Sequence, residues 1–287
     1  MAEPMVDGYW YVKPEEREAN AEEVRIQKAI EKAKEKHKKI VYIGFGSIIV
    51  PDPKEMTDAI IGAVQDSNVF AIISGGWTAG AAEGAVKGAT EGATRGATKV
   101  TTEGPTEAAK EVFKQAENDE EDSAYMQREI RKLSGSMLYV DSVAHDWLFP
   151  QISAALHHGG AGTTAASIRA GIPTLIKPFF GDQTFWAQRV EELCVGAHVK
   201  RLERKDISAA LIDATSEKHT MGKEARALGL KVSSEDGVGE AIKIIFEENF
   251  MNAATSVIKE TRKSKLKKEP PAQEKVSIHE IFIKDPE

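Results

Sequence analysis

Cysteine is almost missing from this chain: one, Cys194, occurs in 287 residues. A single thiol excludes an intramolecular disulfide framework and fits a reducing compartment. Long apolar runs are also missing, so no segment reads as membrane-spanning. The first residues, MAEPMVDGYWYVKPEE, lack the charged-then-apolar order of a signal peptide, and a cytoplasmic placement is expected. There is no excess of basic residues; the net charge of −7 gives no support to nucleic-acid binding. His157-His158 beside one remote cysteine does not match zinc spacing, and no metal site is expected. A G-x-S-x-G elbow is lacking too, which removes a serine-hydrolase reading. What remains is 41% hydrophobic and 29% charged residues, a composition for one globular domain with appendages.

Ile40–Phe45 (IVYIGF) is a near-continuous apolar run, as expected for the first strand of a parallel sheet covered on both faces. Gly46-Ser47 follows at its C-terminal end, where ligands gather in open α/β sheets; a purely structural turn is the other reading. Met56, Ile60, Ile61 and Val64 have helical spacing, and VFAIIS (69–74) reads as the next strand. Strand, helix, strand is the rhythm of an α/β fold.

The rhythm stops over 78–136. Gly80 to Lys99 comprises five tetrapeptides, GAAE GAVK GATE GATR GATK. Their charges could pair along a helix, but each glycine costs about 1 kcal/mol relative to alanine there. The segment reads as a low-complexity insertion, either disordered or helical only against a surface. Glu107–Leu133 is more amphipathic, through Val112, Ala116, Tyr125, Ile130 and Leu133. The flanks also differ from the core. Residues 1–39 hold the aromatic knot Tyr9-Trp10-Tyr11 and a Glu/Lys/Ala-rich helix expected to be solvated. Residues 251–287 form a basic tail, either solvated or drawn to an anionic membrane surface. Between them, 40–250 is the expected ligand-binding domain.

One stretch of that domain, LHHGGAGTTAASIRAGIPTLIKPFFGDQTFWAQ (156–188), is dense in polar and glycine residues. ISAAL (152–156) reads as a buried strand leading to His157 and His158. Gly159, Gly160 and Gly162 permit positive φ and close approach of a ligand. Thr163 and Thr164 stand where a helix is expected to begin, and its free N–H groups suit a phosphate or diphosphate. After a strand read over TLIKPFF, Asp182 supplies an acceptor and Gln183 both donor and acceptor, a pair matched to sugar hydroxyls. The site reads as a nucleotide-sugar pocket. Of two adjacent strand-end histidines only one faces a pocket. Trp147 either stacks on a base or packs in the core with Leu148 and Phe149. Beyond the stretch, Cys194 is expected at the apolar end of a helix over Phe185–Leu193.

His158 through Thr164, with Phe179-Phe180-Gly181-Asp182-Gln183, resembles the donor-binding signature of the UDP-glycosyltransferases of GT-B architecture. YIGFGSIIVPDP (42–53), AHDWLFPQ (144–151), HHGGAGTTAA and PFFGDQTFWAQRV occur in the same order in the sterol 3-beta-glucosyltransferases, which the chain resembles more closely, over Gly8–Ser74 and Met137–Phe246. The resemblance implies a Rossmann-like parallel sheet flanked by helices, the C-terminal domain of that architecture. It implies that His158 and Thr163 contact the diphosphate, with Gly160 and Gly162 in the same turn, and that Ser47 sits against a phosphate. It places the uracil by Ser142 and Val143, and the glucose hydroxyls by Asp182 and Gln183. UDP-glucose is then the donor substrate, no separate cofactor is needed, and the acceptor is a sterol or lipid hydroxyl. In that family the acceptor-activating base is a histidine of the N-terminal half, which the resemblance does not cover, so an N-terminal-half polypeptide is an expected partner and no catalytic residue is assigned. The alternative is a catalytically inactive nucleotide-sugar-binding or scaffold protein derived from such an enzyme.

Overall fold

The computed structural model describes residues 20–46, 48, 50–75 and 121–243. Outside the described residues lie Ser47, the aromatic knot at Tyr9-Trp10-Tyr11, the glycine repeats and the basic tail. The chain divides into two compact units, Val12–Glu235 and Met1–Tyr11 together with Asp236–Glu287.

The larger unit is built on six strands: β1 (Ile40–Gly44), β2 (Phe70–Ser74), β3 (Met137–Val140), β4 (Ala154–His157), β5 (Thr174–Ile176) and β6 (Gly196–His198). Their order in the sheet is β3-β2-β1-β4-β5-β6, and every pair is parallel. The α/β fold expected from the strand-helix rhythm, and the parallel sheet implied by the resemblance, are therefore present. Every residue of β1 is buried, because alternate side chains enter two different cores. Val41, Ile43, Ala71, Ile73, Leu156 and Leu175 face one side; Ile40, Tyr42, Phe70, Ile72 and Ala155 face the other.

Helices cover both faces. α1 (Ala21–Glu35) starts in a capping box, with Asn20 Oδ1 accepting from Glu23 N–H at 2.9 Å and Glu23 Oε2 accepting from Asn20 N–H at 3.0 Å. The expectation of a solvated helix here needs correction: Ile26, Ile30 and Ala33 are buried against the β1 side of the sheet. Their i, i+4, i+7 spacing is the signal that the surrounding Glu and Lys residues obscure. α2 (Pro53–Ser67) is capped by Asp52 and has proline in its first turn; it ends at Asn68, whose φ of 56° is left-handed. Residues 121–132 form a helix, α3, inside the span assigned to the insertion. It buries Met126 and Ile130 in the core, while Tyr125 Oη donates to Asp58 Oδ1 at 2.7 Å. That part of 78–136 belongs to the sheet's cover.

The C-terminal half supplies α4 (His145–Leu148), α5 (Ala161–Arg169), α6 (Gln183–Glu192), α7 (Arg204–Thr215) and α8 (Met221–Ser233). β5 stops at Ile176, short of the strand expected over TLIKPFF, because Pro178 has no N–H to continue a ladder. Cys194 is exposed with φ 56°, contrary to the apolar placement expected for it; it turns the chain from α6 into β6. In the second unit the described residues form α9 (Gly237–Lys243), where Gly239 N–H is capped by Asp236 Oδ1 at 3.0 Å.

Candidate functional site

The strands are parallel, so the loops after β1, β3, β4 and β5 all emerge at one edge of the sheet. Four of the polar clusters singled out in the sequence lie on these loops. The strand order sets Ser142 and Val143, after β3, three strand intervals from the turn after β4, a distance of ~14 Å.

The turn after β4 is the most constrained. His157, the last residue of β4, is completely buried, and its Nδ1 accepts a hydrogen bond from Gly159 N–H at 3.0 Å. Burial holds this imidazole neutral and takes its pKa down to about 3. With Nδ1 an acceptor, the ring proton sits on Nε2, which has no partner among the described residues. His158 faces the other way and is half-buried. A Cβ at Gly46 would lie 3.5 Å from its ring, and one at Gly160 would lie 2.6 Å from its Nε2. The imidazole is therefore held between two glycines. Its pKa is lowered by burial, against the opposing pull of the Asp182 carboxylate, and its Nδ1 is buried without a partner among the described residues.

The three glycines of the turn differ. Only Gly159 has positive φ, at +89°, and a Cβ there would strike Ile176 at 2.5 Å. Gly160 is the N-cap of α5 with ordinary extended backbone; it is required by the close approach of His158. Gly162 lies within α5, and a Cβ there would meet open space. The helix begins at Ala161, two residues before the expected start at Thr163. Thr164 N–H bonds Gly160 C=O, which leaves the N–H groups of Ala161, Gly162 and Thr163 without intrahelical acceptors. Thr163 is half-buried at the third position, whereas Thr164 is buried with no partner for its hydroxyl among the described residues.

The loop after β5 closes the other side. Gln183 is buried, and its Oε1 accepts from Phe179 N–H at 2.7 Å and Phe180 N–H at 3.1 Å. Its amide oxygen thus shapes the loop, a role the donor-acceptor argument overlooked. Asp182 is exposed and accepts from the Trp186 indole N–H at 2.8 Å, one turn along α6. Trp186 is a positioning contact absent from the sequence expectations, for which the i, i+4 spacing to Asp182 is the available signal. Lys177 was read only as part of a strand. It is half-buried, its pKa is lowered by burial, its Nζ donates to Pro178 C=O at 3.0 Å, and its ammonium lies 5.1 Å from the Phe179 ring. A lysine interrupting an apolar strand end was visible in the sequence.

At the β3 end, Ser142 is exposed and Val143 half-buried. Both line a cavity of about 370 Å³ that is also lined by Asn20, Glu22 and Ile26 from the cap and first two turns of α1. Beside it the His145 ring stacks on Phe149 at 4.7 Å, and its Nε2 is 3.2 Å from Tyr42 Oη. Burial lowers the pKa of His145 and raises that of Tyr42 to about 12, so both are neutral at pH 7. Trp147 packs against the core cluster of Leu148 and Phe149. Among the described residues no three His, Cys, Asp or Glu side chains gather as a metal site.

The site thus presents N–H groups, the imidazole of His158 and glycine-opened space at a helix start, with carboxylate and amide on the facing loop. Such an array can hold an anion at the helix and hydroxyls at Asp182.

Comparison with known proteins bears on this arrangement. Residues 118–261 match the family described as erythromycin biosynthesis protein CIII-like, C-terminal domain. A sterol 3-beta-glucosyltransferase of Cryptococcus neoformans var. neoformans serotype D (strain JEC21) is 39% identical over 258 residues, covering 88% of this chain and 14% of the relative. Another, from Saccharomyces cerevisiae (strain YJM789), is 38% identical over 264 residues, covering 92% of this chain and 18% of the relative. The chain therefore spans less than a fifth of the length of these relatives. Among solved structures, Medicago truncatula UGT71G1 complexed with UDP-glucose superposes with a TM-score of 0.51 at 16% identity, over 82% of this chain and 46% of that one. This likeness concerns the fold.

Proposed function

The chain belongs to the erythromycin biosynthesis protein CIII-like C-terminal domain family, and from that membership we propose that it is the donor-binding part of a UDP-hexose-dependent glycosyltransferase acting on a sterol or related lipid hydroxyl. The reading is carried by the turn after β4, where the first N–H groups of α5, a half-buried neutral His158 and the open side of Gly162 converge. Relatives named sterol 3-beta-glucosyltransferase support the choice of reaction.

In this reading the diphosphate lies against the N-terminus of α5 and the His158 ring, the base reaches toward Ser142 and Val143, and the hexose hydroxyls meet Asp182. Ser47, next in sequence to Gly46, is assigned to a phosphate. Gln183 acts by fixing the loop through its Oε1 and by whatever its amide nitrogen offers the sugar. The acceptor oxygen bonds to the anomeric carbon as the bond from that carbon to the diphosphate oxygen breaks. Charge developing on the departing UDP is met by preorganised N–H donors, an electrostatic contribution needing no proton transfer from the site. The acceptor's proton passes to a base within hydrogen-bond reach, assigned to an acceptor-binding segment outside these residues. A cytoplasmic position at a membrane surface suits an acceptor dissolved in lipid.

Calorimetric titration of the purified chain with UDP and with UDP-glucose tests this. Saturable binding of both is expected; a folded chain that binds neither overturns the assignment.

A further inference from the structure

A second ligand-sized hollow lies at the opposite end of the sheet. α1 and its C-cap residue carry Arg25, Lys28, Lys32 and Lys36 at spacings of three, four and four residues, which align them in one row with neighbours ~6 Å apart. Beneath the row is a groove of about 330 Å³ floored by Ala29, Ala33, Phe70, Met137 and Leu138. Phe70 and Met137 are the first residues of β2 and β3, so the groove opens at the N-terminal edge of the sheet, away from the turn after β4.

The charges of the row are largely uncompensated. Arg25 is engaged by Glu22 and by the Tyr139 carbonyl. Lys28, Lys32 and Lys36 are exposed and make no ion pair or side-chain hydrogen bond among the described residues. Glu31 and Glu35 of the same helix do not line the groove. In a chain of net charge −7, three unpaired ammonium groups over an apolar floor are not an average of the surface. Lysine stems can lie along the floor while their heads reach a phosphate.

We propose that this groove binds an acidic phospholipid at a bilayer surface, with its phosphate against Lys28, Lys32 and Lys36 and its glycerol region on the floor. Charge complementarity argues for an anion, the apolar floor for an amphiphile, and the volume for a headgroup with its glycerol. The proposal does not rest on the donor reading, since the two sites share no residue.

The test is co-sedimentation of the full chain with vesicles of phosphatidylcholine alone or with added phosphatidylserine. Binding is expected only when phosphatidylserine is present. Each lysine neutralised should weaken it ~5-fold, and Lys28→Gln/Lys32→Gln/Lys36→Gln together ~100-fold. Ala29→Glu, on a partly exposed helix position, should weaken it while leaving the circular dichroism spectrum unchanged. UDP titration of the triple variant should match the parent. The proposal is overturned if the parent fails to bind the anionic vesicles. It is overturned equally if the triple variant binds like the parent while Lys263→Gln/Lys265→Gln/Lys267→Gln/Lys268→Gln loses binding, which would assign the attraction to the tail.

Discussion

Replacing Gly162 by alanine separates folding from binding at the turn after β4. Gly162 is the second residue of α5 and has no positive φ; a Cβ there would meet nothing within 4 Å. Alanine is preferred to glycine in a helix by up to ~1 kcal/mol, so the variant should be more stable by roughly 0.5–1 kcal/mol, or about 1–4 °C in Tm for a domain of this size. The same methyl group would project into the space where the diphosphate is assigned. A hydrogen bond to a charged group contributes about 1.5–3 kcal/mol, so losing one of the α5 N–H contacts should weaken UDP about 10- to 150-fold. Scanning calorimetry and UDP titration on one preparation read both effects. A raised Tm with unchanged UDP affinity would refute the idea that the diphosphate approaches this helix start. A lowered Tm would refute the local helical geometry itself.

Other substitutions probe neighbouring contacts. His158→Ala and Thr163→Ala should weaken UDP and UDP-glucose equally, whereas Asp182→Ala should weaken UDP-glucose more. Trp186→Phe, which removes only the indole donor to Asp182, should have a smaller effect, and equal losses for both ligands in Asp182→Ala would remove the sugar contact. His157 links stability to pH. Its folded pKa is lowered from 6.5 to about 3, so the unfolded chain takes up the proton first as pH falls. The stabilisation is complete above pH 6.5 and declines toward pH 3, by roughly 5 kcal/mol in all. His157→Asn keeps an acceptor for Gly159 N–H and should flatten that decline in urea unfolding across the window; an unchanged slope would place the titration elsewhere. Thr164→Val removes a buried hydroxyl without a partner among the described residues and should raise the urea midpoint by the equivalent of ~1 kcal/mol. A lower midpoint would mean that the hydroxyl is satisfied in solution.

The sheet was legible because its strands are buried on both faces and read as apolar runs, as IVYIGF and VFAIIS do. α1 differs from expectation because three buried apolar positions in fifteen are enough to dock a helix on a sheet face, while the other twelve set its composition. Met126 shows a related limit: it fills the core from a helix whose sequence neighbourhood is acidic, and only the packing reveals which turn faces inward. Within the site, the residue types were readable and their division of labour was not. HHGGAG announces a turn, but that Gly159 is needed for its φ, Gly160 for His158 and Gly162 for open space depends on three different neighbours. Gln183 illustrates the same point, since its oxygen is taken by Phe179 and Phe180 of a loop whose path the sequence does not specify.

The electrostatics of the edge follow from this arrangement. A diphosphate carries formal charge, yet the groups gathered after β4 are N–H donors and imidazoles held neutral by burial. Lys177, with its ammonium partly desolvated over Phe179, is the nearest lysine in sequence to that turn. Attraction there comes chiefly from oriented dipoles fixed by the fold, which lose little to salt screening when partly buried. The lysine row on α1 is the opposite case, formal charge on exposed flexible stems, strongest against an extended anionic surface and weak toward a single soluble anion. The two ends of the sheet thus suit different anions, a bound diphosphate at one and a charged interface at the other, although the chain as a whole is acidic.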